Sequence, residues 1–148
     1  LALIGIFNVI GSFTAGFLGD RFRKKNLLTI LYFTRSVVIL IFIMVPVSPV
    51  SVILFSASLG LLWLSTVPLT SGLVAQMFGP RYMGTLFGIV FLNHQIGSFL
   101  GVWLGGYFFD TTGSYMPVWW AGVALGVIAA LVHFPIKDKE PAVAAKTA

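Results

Sequence analysis

The chain has 148 residues, of which 58% are apolar and only 9% charged, with a formal net charge of +5 and no cysteine. A soluble domain carries roughly a quarter charged residues, so this composition excludes an ordinary water-soluble fold. It also excludes disulfide staples and thiolate metal sites. The basic residues sit at the ends of apolar segments and not along one solvated face, which excludes nucleic acid as the partner.

Five apolar segments follow in chain order, each near or above the roughly 20 residues that a helix needs to cross a bilayer. They are expected at about 1–18, 27–45, 50–78, 82–109 and 117–134. Barrel strands would alternate apolar and polar over about 10 residues, and these segments do not. The fold class predicted is an all-α membrane protein, a helical transmembrane bundle over 1–136 with a cytoplasmic tail over 137–148. The turn at Pro46–Pro49 and the one from Asp110 to Met116 contain no Lys or Arg, whereas Arg21–Lys25, Arg81 and Lys137 with Lys139 lie at alternate ends. Basic loops stay cytoplasmic, so the first residue is expected outside and the tail inside. Tyr107, Tyr115, Trp119 and Trp120 then form an outer aromatic belt.

The segment Gly16-Phe17-Leu18-Gly19-Asp20-Arg21-Phe22-Arg23-Lys24-Lys25 carries four of the nine Lys and Arg residues between the first two spans. Its pattern resembles the cytoplasmic signature loop of the major facilitator superfamily of secondary transporters, which occurs once in each half of that fold. Arg23 stands where the family usually has glycine, a degeneracy typical of the second copy. The resemblance implies that the five spans are helices eight to twelve, the C-terminal part of a major-facilitator-type fold. The chain opens on Leu1 rather than methionine, and the N-terminal half of the same transporter is therefore an expected partner, alongside the lipid bilayer. By the same resemblance Gly16, Asp20, Arg21, Lys24 and Lys25 belong to a gating loop, with Asp20 latching one conformation.

Polar residues inside the spans are the candidates for binding. Asn93, His94 and Gln95 interrupt the fourth span near mid-depth, and polar groups at that depth face protein or a water-filled cavity. The resemblance makes this span the cavity-lining eleventh helix and gives His94 a substrate or proton-coupling role, with Gln95 and Asn93 beside it. An interhelical hydrogen bond without transport function is the alternative. Three consecutive positions span about 200° of a helix, so they cannot all face one pathway. Asn8 and Ser12 share a face of the first span, either lining a cavity or belonging to a close-packing stripe with Ala15, Gly16 and Gly19. Trp63 reads as a cavity wall or a lipid-facing ring.

Thr66 stands with Ser65 near Pro68, which removes a backbone hydrogen bond and predicts a kink that these hydroxyls satisfy. Arg35 lies within the second span, where an unpaired cation costs at least about 2.5 kcal/mol. It is expected to be structural, snorkelling to the cytoplasm or pairing with an acid. Gly97, Gly101 and Gly105 form two small-xxx-small steps, Gly84 with Gly88 and Gly122 with Gly126 two more, the spacing that lets helices approach closely.

The acids Asp20, Asp110, Asp138 and Glu140 sit at span ends, so no carboxylate pair is available for intramembrane catalysis. A Ser65–His94 pair lacks a Gly-x-Ser-x-Gly context. An enzyme is not expected, and neither a cofactor nor a metal. The function predicted is a secondary active transporter moving a small solute by alternating access, in the bacterial inner membrane. Arg35 and His94 are the deep ionisable residues and no acid accompanies them, which favours an organic anion, with a coupled proton through His94. The texture Phe91-Leu92-Asn93-His94-Gln95-Ile96-Gly97 and Asp110-Thr111-Thr112-Gly113-Ser114-Tyr115 is similar to the monocarboxylate and oxalate–formate branch. A non-transporting scaffold or channel subunit is the alternative, and it would need no polar cavity.

Overall fold

A computed structural model describes residues 1–137; Asp138, Lys139, Glu140 and the remainder of the expected tail lie outside the described residues. Six α-helices follow one another: α1 Ala2–Arg21, α2 Lys24–Met44, α3 Pro49–Trp63, α4 Thr66–Phe78, α5 Met83–Thr112 and α6 Met116–His133. No strand occurs among the described residues. Taking α3 and α4 together, five stretches are long and apolar enough to cross a membrane.

Local chemistry explains most of the boundaries. Between α2 and α3, Pro49 opens the new helix at a position where its missing N–H costs nothing. Ser48 and Ser51 close a reciprocal cap, with bonds of 3.1 and 2.8 Å between each backbone N–H and the other's hydroxyl. α5 stops at Gly113, which takes the left-handed conformation (φ 68°) that ends helices without steric penalty. α1 runs three residues past the expected end, through Gly19, Asp20 and Arg21, so the first part of the basic segment is helical.

The third span departs from the single helix expected over 50–78. It breaks into α3 and α4 at Leu64 and Ser65, one turn before Pro68. The position follows from the geometry of proline, whose ring crowds the carbonyl four residues back and offers it no N–H.

α1 packs on α3 and α4, and α2 packs on α6, α3 and α4. Their shared core is Ala15, Leu28, Leu69 and Leu73, bordered by Leu27, Leu31, Tyr32 and Ile136. Two crossings are backbone-close. A Cβ on Gly11 would overlap the Leu61 carbonyl oxygen, and one on Gly60 would lie 2.7 Å from the Ile4 carbonyl oxygen, so α1 and α3 touch through glycine on both sides. A Cβ on Gly126 of α6 would overlap Ser36 Oγ of α2.

At the other end of α2, Phe42 stacks on Phe55 of α3 at 4.0 Å, and Trp119 of α6 closes on both rings at 5.9 and 5.8 Å. Trp119 therefore serves as a packing group between helices, whereas Trp120, Tyr107 and Tyr115 are exposed. α5 stands apart: Gly105 is its one buried residue. Nothing described lies within 4 Å of a Cβ added at Gly97, Gly101 or Gly105, nor at Gly84, Gly88 or Gly122.

Candidate functional site

The break between α3 and α4 collects polar side chains from α1, α2 and α4. A helix ending in apolar surroundings leaves its last four carbonyls without partners, and each one bare costs about 1–3 kcal/mol. Here all four are paired. Ser65 Oγ donates to the Leu61 carbonyl. Arg35 Nη2, reaching from α2, donates to the Leu62 carbonyl at 2.7 Å and to the Trp63 carbonyl at 3.3 Å. Thr66 Oγ1 donates to the Trp63 carbonyl at 3.1 Å. The Leu64 carbonyl accepts from the Val67 N–H at 3.0 Å. On the other side of the break, Asn8 Oδ1 of α1 accepts from the Leu64 N–H at 3.2 Å.

Arg35 therefore reaches into the bundle instead of snorkelling, and among the described residues it meets no acid. Its guanidinium takes the negative end of the α3 dipole as counter-charge and lies over the faces of Tyr32 and Trp63, 5.3 and 5.6 Å from their centroids. Its Nε is enclosed without an acceptor. Trp63 is half-exposed, with the guanidinium over one face of its ring.

Directly beside the break is a shallow groove of about 340 Å³, lined by Ser12, Phe13, Leu64, Val67 and Pro68. The structure thus gathers Asn8, Ser12, Trp63, Thr66, Pro68 and Arg35 into one region. It does not bring Asn93, His94 or Gln95 there. All three are exposed on α5. Asn93 Nδ2 donates to the Ile89 carbonyl one turn back at 2.9 Å. The His94 ring stacks on Phe91 at 6.0 Å, and its carbonyl accepts from Ser98 Oγ. These bonds remain within α5.

The basic segment forms a second cluster at one end of the bundle. Lys24 Nζ donates to the Gly19 carbonyl at 2.8 Å, satisfying the end of α1. Its methylenes cross α4 at Gly72, where an added Cβ would lie 2.6 Å from Lys24 Cε. Lys25 Nζ donates to the Phe134 carbonyl just past α6 at 3.3 Å. Arg21 covers the Phe17 ring at 4.3 Å. Asp20 is exposed, and Gly16 has open space where a Cβ would be. Lys24→Met, which keeps the stem but loses the bond, is expected to cost about 1 kcal/mol. Lys24→Ala, which loses the packing too, should cost about twice that. Thermal unfolding in detergent separates the two, and equal midpoints for both variants and wild type would remove the clamp.

Of the α2–α6 contact, the sequence pointed only to Gly126, through its spacing with Gly122, and not to the residues it meets on α2. Tyr32 stacks on His133 at 5.1 Å, and His133 Nδ1 donates to the Ala129 carbonyl at 2.7 Å. Ser36 Oγ donates to the Tyr32 carbonyl directly opposite Gly126.

Comparison with known proteins agrees with this architecture. The family model for the Major Facilitator Superfamily matches residues 1–148. The uncharacterized MFS-type transporter YcxA of Bacillus subtilis (strain 168) is 31% identical over 149 residues, covering 96% of this chain and 36% of that protein. Monocarboxylate transporter 12 of Mus musculus is 24% identical, over 95% of this chain and 33% of its own length. Monocarboxylate transporter 12-B of Danio rerio is 26% identical, over 92% and 29%. The chain spans about a third of the length of these curated relatives. No solved structure matches it significantly. With a match along its whole length and five apolar stretches able to span a bilayer, this integral, multi-pass membrane chain belongs to the major facilitator superfamily.

Proposed function

We propose that the chain is the C-terminal part of a secondary active transporter that moves a small organic anion, such as a monocarboxylate, by alternating access. The observation that carries this is the family match over residues 1–148. The anion class is supported by relatives named as monocarboxylate transporters. It is supported also by the charge inside the spans, where Arg35 and His94 occur without a carboxylate. Lys24 and Lys25 bond to the ends of α1 and α6 and cross the middle of α4 at one face of the bundle, and a concentration of Lys and Arg supports a cytoplasmic position for that face. The C-terminus then lies in the cytoplasm, and the Phe42, Phe55 and Trp119 cluster lies toward the outside.

His94 on the exposed face of α5 binds the substrate carboxylate or carries the coupling proton in this scheme, with Asn93 and Gln95 beside it. The test uses the complete polypeptide that contains this chain, purified and reconstituted in proteoliposomes, with a radiolabelled short-chain monocarboxylate as substrate. Saturable uptake driven by an inward proton gradient is expected, and His94→Ala should lower it at least about tenfold and flatten its pH dependence. Uptake no greater than in protein-free vesicles would overturn the transport assignment. Unchanged rate and pH profile in His94→Ala would remove His94 from the site.

A further inference from the structure

We propose that Arg35 and Asn8 form a clasp across the α3–α4 break, making Arg35 a positioning residue that fixes the bend and with it the shape of the adjoining groove. The two local hydroxyls, Ser65 and Thr66, travel with the third span however it moves. Arg35 and Asn8 do not. One is anchored in α2 and holds the carbonyls of Leu62 and Trp63; the other is anchored in α1 and holds the Leu64 N–H. The break is therefore bonded from two neighbouring helices, on its acceptor side and on its donor side.

In apolar surroundings these backbone groups have no water to replace a lost partner. A change in the angle between α3 and α4 must either carry α1 and α2 along or leave carbonyls bare. The groove depends on the same residues. Ser12 and Phe13 come from α1, one turn beyond Asn8, while Leu64, Val67 and Pro68 come from the break itself. Its walls thus belong to two elements whose separation the clasp sets. Lysine at position 35 would keep the charge but not the planar fork that gives Arg its directed donors.

The bend is a property of the fold and can be read without transport. Its importance for turnover rests on the transport assignment above. The experiment uses the complete polypeptide in lipid nanodiscs, with any other cysteine replaced and spin labels at Ile53→Cys on α3 and Met77→Cys on α4. Both positions are exposed, and this chain has no native cysteine. A narrow distance distribution is expected with Arg35 present, a shifted and broadened one in Arg35→Gln, and an intermediate one in Arg35→Lys. Asn8→Leu, which opens the clasp from α1, should shift it in the same way and stands in should Arg35→Gln fail to accumulate. A distribution identical to wild type in Arg35→Gln or Asn8→Leu overturns the clasp.

Uptake supplies the second readout. Arg35→Gln is expected to lower the maximal rate about tenfold with KM little changed, the signature of lost positioning without lost contact to solute, and Arg35→Lys to recover part of it. A raised KM at constant maximal rate would overturn the positioning role and make Arg35 a solute contact. If wild type shows no uptake, the transport assignment fails and the distance measurement still decides the clasp.

Discussion

Gly11→Ala is expected to destabilise the bundle by about 3 kcal/mol, although it adds one methyl group to a helix that would otherwise favour alanine. The methyl would overlap the Leu61 carbonyl oxygen, and it would also come 2.7 Å from Ser65 Oγ and 2.8 Å from the Leu61 carbonyl carbon. Two of these three atoms are backbone, so no rotamer change relieves the overlap. α1 and α3 must separate, and overpacking of a close contact costs about 1–3 kcal/mol. The upper end applies because the same separation strains the Asn8 bond to Leu64 and displaces the hydroxyl on the Leu61 carbonyl. Gly5→Ala and Gly16→Ala are the controls. Nothing lies within 4 Å of either added Cβ, so both should be neutral or stabilising by up to about 1 kcal/mol. Reversible unfolding of the complete protein in mixed micelles measures all three, and a neutral Gly11→Ala would contradict the α1–α3 crossing described here.

The second large effect is on the α2–α6 contact, and a second substitution relieves it. Gly126→Ala alone would drive a methyl into Ser36 Oγ, forcing the hydroxyl off the Tyr32 carbonyl. A cost of about 2 kcal/mol is expected from the displaced bond and the tightened contact. Removing the hydroxyl removes the obstacle: with Ser36→Ala, the nearest remaining atoms are Ser36 Cβ and the Tyr32 carbonyl oxygen, both 3.4 Å from the new methyl. The double variant should therefore be more stable than Gly126→Ala alone, with a coupling of at least about 1 kcal/mol. Strict additivity of the two substitutions in the same unfolding assay would show that Ser36 and Gly126 do not meet.

These two positions also show what the sequence could and could not disclose. The helices were legible because composition alone demands that each apolar stretch satisfy its own backbone in lipid. Their ends were legible where proline, glycine or a basic run interrupts them. Gly11 carried a signal of the same kind: with Ala15 and Gly19 it makes a stripe of three small side chains spaced four apart, and all three are buried. Ser12 and Gly16, one position on, have the same spacing and are only partly buried.

Spacing identifies a face that can approach closely but not the helix that meets it. That is why the stripe of Gly97, Gly101 and Gly105 looked equivalent in the sequence and yet has no neighbour within 4 Å of an added Cβ among the described residues. The polar residues divide along the same line. Pro68 announced a disturbance in the third span, but the partners that complete it, Asn8 and Arg35, lie 56 and 27 residues from their bonding positions. Nothing local links them. His94 stood out because it is the kind of side chain that lipid excludes, whereas His133, stacked on Tyr32, sits at the end of its helix where a polar side chain carries no such signal.

The pairing of every carbonyl at the α3–α4 break has a consequence for the order in which this sequence can drift. Pro68 creates the need for side-chain partners, since any other residue there would return an N–H to the Leu64 carbonyl and let the helix close on itself. Once the helix is continuous, the carbonyls of Leu62 and Trp63 are filled from their own strand of turns, and Arg35 and Asn8 are free to vary. In the opposite order, a lineage that loses Arg35 while keeping Pro68 passes through a protein whose buried Leu62 carbonyl has lost its side-chain partner. The route to a straight third helix is open from the proline and closed from the arginine.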